Sequence, residues 1–227
     1  MKKYTYVACS DAGQVKTINE DSLLIKHIRY KNKDAIVAVI CDGVGGLPQG
    51  EVASASLIHA FCEAWKPAWI SNDTKRMQTI WTQFLQKWNE KIRREELPMA
   101  TTCTALMIIE DTSWLFHVGD SRLYTYDQEL IQWTMDHSQN HKLMECIGYF
   151  KEIHPQVQNR TSLSKNYFLC SDGMYRKLTK QELIRGFQNA KNKKQMKRQI
   201  QQWMYTNLER DETDNMSAIW IRVKQHD

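Results

Sequence analysis

Apolar residues in this chain follow two rhythms, a period of two and a period near 3.6, and the switches between them mark the elements. Tyr4, Tyr6 and Ala8 alternate with Thr5, Val7 and Cys9, which predicts an opening strand followed by a turn at 10–13. A second strand is expected at 22–30, and Asn32-Lys33-Asp34 makes a tight polar turn into the run AIVAVIC at 35–41. That run is short, unbroken and rich in β-branched residues, so it predicts a buried strand. It stops abruptly at Asp42-Gly43, with Gly45 and Gly46 close behind. The rhythm then becomes helical. Residues 50–65 place Ala53, Leu57, Ala60, Phe61 and Ala64 on one face, and Pro67 ends the helix. Ser71-Asn72-Asp73 offers caps for a second helix. Its stripe of Met77, Ile80, Trp81, Phe84, Leu85, Trp88 and Ile92 is that of a core face, not of a cofactor box.

After Pro98, short strands are expected at 101–110, 113–118, 123–126 and 130–133, joined by tight turns as an antiparallel meander. From 136 to 164 no period holds, and a loop or short irregular helix is expected. A strand follows at 167–170. Thr179-Lys180-Gln181-Glu182 is a capping box opening a helix, and Met196, Ile200, Trp203, Met204 and Leu208 share one face of another. The last strand is expected at 216–223. Helices thus fall in two blocks among hairpin-linked strands, which indicates an α+β fold of antiparallel layers covered by amphipathic helices. No repeat, low-complexity segment or linker interrupts the pattern, so residues 1–227 are expected to form one domain.

Composition changes this picture little. Hydrophobic residues at 42% and charged residues at 25% suit a soluble globular protein. A net charge of +5 permits weak attraction to anions, but acids and bases are interleaved and do not argue for nucleic acid. The basic run Lys191-Asn192-Lys193-Lys194 with Lys197 and Arg198 has no aromatic platform beside it and is expected as a solvated helix surface. The six cysteines are scattered without a Cys-x-x-Cys pair, as expected of buried, reduced thiols in a cytoplasmic protein. No apolar stretch approaches the ~20 residues of a membrane span. The start, MKKYTYVAC, mimics a basic leader ahead of a lipid-modified cysteine, yet its apolar part is short and polar, so it is taken as the first strand.

Four acids stand at expected strand ends. Asp42 closes 35–41, Asp120 follows 114–119, Asp172 follows 167–171, and Asp214 stands just before 216–223. One Asp-Gly turn means little, but the repeated grammar suits a hard divalent cation, with glycines letting backbone carbonyls approach it. The segment Lys16-Thr17-Ile18-Asn19-Glu20-Asp21 brings two acids and a lysine ahead of a strand, where they could face the Asp42 turn.

An ordered set of motifs carries a resemblance. It comprises Asn19-Glu20-Asp21, Asp42-Gly43-Val44-Gly45-Gly46, Ala100-Thr101-Thr102-Cys103, His117-Val118-Gly119-Asp120-Ser121-Arg122, Asp136-His137-Ser138, Leu169-Cys170-Ser171-Asp172-Gly173 and Asp214-Asn215. Together they resemble the metal-dependent protein serine/threonine phosphatases of the protein phosphatase 2C type, in a compact bacterial-like form. The resemblance implies a four-layer α-β-β-α sandwich of two antiparallel sheets flanked by helix pairs, with a metal site at one sheet edge. It implies two or three Mg²⁺ or Mn²⁺ ions. Asp42 would bridge two of them with the Gly43 carbonyl on the first, and Asp172 and Asp214 would hold the second. Glu20 would act through water, and Asp120 with Asp172 would form a weaker third site. Oxygen-only ligands select such cations, and two of them ~3.5–4 Å apart can activate a bridging water for in-line attack on a phosphoryl group.

The implied activity is hydrolysis of phosphoserine and phosphothreonine esters in proteins, by a cytoplasmic monomer opposed by a Ser/Thr kinase. Neither nucleic acid nor membrane is expected as a partner. Three departures from the family pattern stand out. Lys16 occupies the place of an arginine that grips the substrate phosphate, Val44 stands where some members carry a histidine, and 136–164 is short for the flap beside the cleft. His59 and His117 fall in apolar patterns and are expected in the core, whereas Asp136, His137 and Ser138 are expected to fix a loop. The competing function is that of a catalytically weak member binding phosphoproteins as a regulatory module. The intact acid set argues against it, and Lys16 alone favours it.

Overall fold

The run at 35–41 shows no alternation because both of its faces are buried. A computed structural model describes residues 3–30, 33–64, 73–140 and 142–224. The chain begins β1 (Lys3–Asp11), β2 (Asp21–Tyr30), β3 (Lys33–Asp42), α1 (Gly50–Ala64) and α2 (Thr74–Arg93). Next come β4 (Cys103–Ile109), β5 (Thr112–Val118), β6 (Arg122–Tyr126), β7 (Leu130–Gln132), β8 (Ser138–Gln139), β9 (Lys142–Leu143) and β10 (Gln156–Arg160). It ends with β11 (Asn166–Cys170), α3 (Asp172–Tyr175), α4 (Lys180–Asn189), α5 (Lys193–Glu209) and β12 (Met216–Lys224).

Two antiparallel sheets result, one in the order β10-β5-β4-β3-β2 and the other in the order β1-β12-β11-β6-β7. Alternation along each inner strand divides the core into three slabs. Val37, Val39 and Cys41 of β3 face α1 and α2, where they meet Leu57, Phe61, Trp81 and Leu85. Ile36, Ala38 and Ile40 face the second sheet and meet Tyr167, Leu169, Ile219 and Ile221. On the far side of that sheet, Phe168, Cys170 and Trp220 lie under Phe187 of α4 and Ile200 and Trp203 of α5. Helix pair, sheet, sheet, helix pair is the α-β-β-α order expected from the resemblance.

Local chemistry accounts for the helix ends. Asp73 caps α2 by accepting from the Arg76 N–H at 3.1 Å. Thr179 and Glu182 satisfy each other's backbone N–H groups in a capping box at α4, and Arg210 reaches Glu182 at 2.6 Å from the end of α5. Among the described residues, no helix is long and apolar enough to cross a membrane.

Several expectations are corrected. The segment 136–164 holds the β8–β9 pair and the edge strand β10, not an unpatterned loop alone. Gln-Val-Gln-Asn-Arg carries no apolar rhythm, and β10 exists because its backbone pairs with β5, Gln156 opposite His117 through Arg160 opposite Ser113. His59 is on the surface beside Glu63, not in the core, and Cys62 is exposed rather than buried. The expected turn residue Asn32, Pro67 and the capping residues Ser71 and Asn72 lie outside the described residues.

Candidate metal centre

All of the predicted acids collect at one end of the sandwich, where β3, β5 and β11 finish and β2 and β12 begin. The backbone of Asp42 is fixed on three sides. Its N–H donates to Thr102 Oγ1 at 3.0 Å, while its carbonyl accepts from the Thr102 N–H at 2.8 Å and from Thr101 Oγ1 at 3.0 Å. Gly43 then passes so close to Gly50 and Glu20 that an added Cβ would lie 2.5 Å from the Gly50 carbonyl group, so only glycine fits. From the other sheet, β11 delivers Asp172 as the first residue of α3. A Cβ on Gly173 would stand 2.3 Å from the Asn215 carbonyl oxygen, and this close approach puts Asp172 beside Asp214.

Asn215 is the clasp between segments far apart in sequence. Its Oδ1 accepts from the Glu20 N–H at 2.9 Å, and its Nδ2 donates to the Ala12 and Ile18 carbonyls at 2.9 and 3.2 Å. The loop carrying Lys16 and Glu20 is thereby held against Asp214. Lys16 Nζ lies 3.0 Å from Glu20 Oε2 and 3.7 Å from Asp214 Oδ1, at the edge of the acid cluster. Asp120 enters from the turn after β5. Tyr175 Oη donates to its carbonyl at 3.0 Å, and His137 brackets the preceding Gly119 by accepting from its N–H and donating to its carbonyl. His137 therefore fixes this loop, as expected. Asp136 does so too, through a two-pronged pair with Arg122 whose shortest arm is 2.6 Å. His117 is a satisfied core histidine, between Thr104 Oγ1 at 2.9 Å and the Met135 carbonyl at 3.1 Å, and burial pushes its pKa down to about 3.

Crowding of like charges shapes the electrostatics. Burial first, and then Asp21, Asp172, Asp120 and Asp214, hold the Asp42 carboxyl well above the ordinary carboxylate range. Burial and Asp172 raise Asp120 to about 6. Burial also raises Asp172, against the pull of Arg176.

Four residues outside the predicted ligand set belong to the cluster, of which the sequence places only Asp21 facing the Asp42 turn and Asn215 in a motif. Asp21 is the ladder partner of Asp42, buried, with Oδ2 accepting from Ser171 Oγ at 2.9 Å and its pKa raised by burial to about 7. Arg176, one turn after Asp172, places Nη2 3.1 Å from Asp172 Oδ1 and 2.8 Å from Asp214 Oδ2. Glu212 is buried and accepts from the Thr213 and Asp214 N–H groups at 3.0 and 3.1 Å, and Asn215 clasps the loops. The signal for Asp21 was its place beside Glu20 at the start of β2, ahead of the Asp42 turn. Nothing local marked Arg176.

This donor set fits a hard cation. Every candidate ligand is an oxygen, and among the described residues the buried Asp21 Oδ1 has no hydrogen-bond partner and the carboxylates outnumber the cations that touch them, Lys16 and Arg176. Among the described residues, however, no three of these side chains converge tightly enough to enclose an ion as they stand.

The profile of the family described as protein phosphatase 2C matches residues 12–209. The chain belongs to the protein phosphatase 2C family. The serine/threonine phosphatase stp of Listeria innocua is 27% identical over 194 residues, spanning 73% of this chain and 75% of that protein. Among solved structures, the serine/threonine phosphatase Stp1 of Staphylococcus aureus superposes with a TM-score of 0.84 at 21% identity, covering 99% of this chain and 96% of that one. The catalytic domain of the serine threonine protein phosphatase PstP, in complex with two manganese ions, superposes with a TM-score of 0.79 at 25% identity, covering 99% and 100%. Membership makes this chain a metal-dependent protein serine/threonine phosphatase.

Proposed function

We propose that the chain hydrolyses phosphoserine and phosphothreonine esters of cytoplasmic proteins, opposing a Ser/Thr kinase, with two Mg²⁺ or Mn²⁺ ions held by Asp42, Asp172 and Asp214. Residues 1–227 would act as one catalytic unit and as a monomer. The observation that carries this reading is the meeting of those three aspartates from separate strand ends, crowded enough to lift Asp42 and Asp172 above their ordinary range. Divalent cations held there would supply Lewis acidity, acidifying a water and offsetting charge on the phosphoryl group. The chain's own residues do the rest. Thr101 and Thr102 hold the Asp42 turn rigid, and Ser171 orients Asp21 behind it. Asn215 keeps Glu20 and Lys16 at the rim, where the Lys16 ammonium can pair with a non-bridging phosphate oxygen as a compact charge. Gly43 and Asp120 complete the candidate set.

Beside the acids opens a cleft of about 820 Å³ lined by Asp120, Asp136, Ser138, Tyr175, Arg176 and Lys177. It is large enough to admit a phosphorylated side chain with its flanking backbone, and 136–164 would be the flap along it. The test is turnover of a generic phosphate ester and of a phosphopeptide, after chelation and after Mn²⁺ is restored. Activity that survives chelation, or an Asp42→Asn variant that matches the parent, overturns the reading.

A further inference from the structure

Arg176 is an unusual neighbour for two proposed metal ligands. Its guanidinium lies against the oxygens a cation would use, Asp172 Oδ1 at 3.1 Å and Asp214 Oδ2 at 2.8 Å, with Glu212 Oε1 behind at 3.6 Å. Asp214 has no oxygen to spare. Its Oδ1 accepts from the Asn215 N–H at 2.9 Å and faces Lys16 at 3.7 Å, while Oδ2 is taken by Arg176. Asp172, by contrast, meets Arg176 through Oδ1 alone, and the Asp42 carboxyl is among its neighbours. The two halves of the acid cluster are therefore unequal: among the described residues no cation pairs directly with Asp42, whereas Arg176 pairs with both Asp172 and Asp214.

That guanidinium is poised to leave. Arg176 is the C-cap of the one-turn helix α3, and its side chain is 39% exposed on the wall of the cleft that also holds Asp120, Tyr175 and Lys177. A divalent cation on the same oxygens would repel the guanidinium, whose long stem gives it reach into that cleft. There it would meet the one dianionic group the site is built to receive. A planar fork pairs with two phosphate oxygens at once, which Lys16, at the other oxygen of Asp214, cannot do.

We propose that Arg176 is an exchangeable cation: it holds the Asp172–Asp214 pair while that pair lacks metal, and on metal loading it turns into the cleft to bind the substrate phosphate. This rests on the assignment of Asp172 and Asp214 as metal ligands. It makes the second metal the weaker one and couples its arrival to phosphate binding.

The test compares the parent with Arg176→Gln and Arg176→Lys by calorimetric titration with Mn²⁺, and then titrates the Mn²⁺-loaded proteins with inorganic phosphate. Arg176→Gln should bind the weaker Mn²⁺ about tenfold more tightly, since a half-exposed tethered competitor has been removed. The same variant should bind phosphate about fivefold or more weakly. Arg176→Lys, which keeps the charge but loses the fork, should fall between on both scales. Melting in chelator checks the stored contact. Arg176→Gln should melt below the parent there, and the difference should shrink at saturating Mn²⁺. Unchanged or weaker Mn²⁺ binding in Arg176→Gln overturns the proposal, as does tighter Mn²⁺ binding with unchanged phosphate affinity. A parent that takes up no Mn²⁺ instead overturns the metal-site assignment itself, so the two failures are distinguishable.

Discussion

Two Asp-Gly turns of the same local grammar face each other across this site, each after a buried strand. At the end of β3, Asp42-Gly43 opens into a glycine-rich loop before α1, and the charges that weigh most on its carboxyl are those of other acids. At the end of β11, Asp172-Gly173 runs straight into α3, which returns Arg176 to the carboxylate one turn later. The first turn concentrates negative charge, and the second is partly neutralised by its own chain. A strand end fixes where a carboxylate stands, but the next few residues decide what already occupies it.

Removing either carboxylate should break the comparison most severely. Asp42→Asn, Asp172→Asn and Asp214→Asn should each lower Mn²⁺-dependent turnover by at least ~10²-fold, on the scale of losing a direct transition-state stabiliser. Steady-state kinetics on a phosphopeptide measures this, and a near-normal variant returns that residue to a turn-forming role. Gly173→Ala tests the closeness of the second turn. Its Cβ would collide with the Asn215 carbonyl oxygen at 2.3 Å, so the loop must move at a cost of roughly 1–3 kcal/mol. Thermal melting should fall by roughly 2–4 °C for each kcal/mol, with turnover falling alongside as Asp172 and Asp214 separate.

Lys16 should have a smaller effect, because it touches the cluster from its rim. Lys16→Ala should raise KM for phosphopeptides several-fold with Mn²⁺ binding unchanged, and Lys16→Arg should retain or improve kcat/KM. An unchanged KM in Lys16→Ala would mark it as a surface lysine. The smallest effect is on pH dependence without metal. Asp21 is raised from 3.8 to about 7 by burial, so the folded chain holds that proton more tightly than the unfolded chain. Metal-free stability contributed by Asp21 is thus full below the ordinary carboxylate pKa and is lost as pH climbs toward about 7. His117, lowered from 6.5 to about 3, acts in the opposite direction and only below its ordinary pKa. Between about pH 6.5 and 7.5 the acid dominates, so in chelator the parent should melt lower at the higher pH, and Asp21→Asn should flatten that slope. Equal slopes would show that Asp21 does not carry the strain.

Much of this molecule is determined by sequence alone. The core faces of α2 and α5, the capping box of α4, the unbroken strand at 35–41 and the positions of Asp42, Asp120, Asp172 and Asp214 at strand ends all follow from rules that act over a few residues. Only the tertiary structure decided what those acids meet. β10 has no rhythm of its own and is a strand because β5 offers it an edge. His59 and Cys62 follow an apolar pattern yet sit on the outer face of α1, because the narrower stripe of Ala53, Leu57, Ala60 and Phe61 already fills the contact with the sheet. Asp21 joins the cluster through its register with Asp42, Asn215 binds a loop some 200 positions earlier, and Arg176 lies between two aspartates that approach only because Gly173 lacks a side chain. Hydrophobic periodicity and caps are local, so they are written in the chain. Charge balance depends on distances between segments far apart in sequence, and folding alone sets those distances.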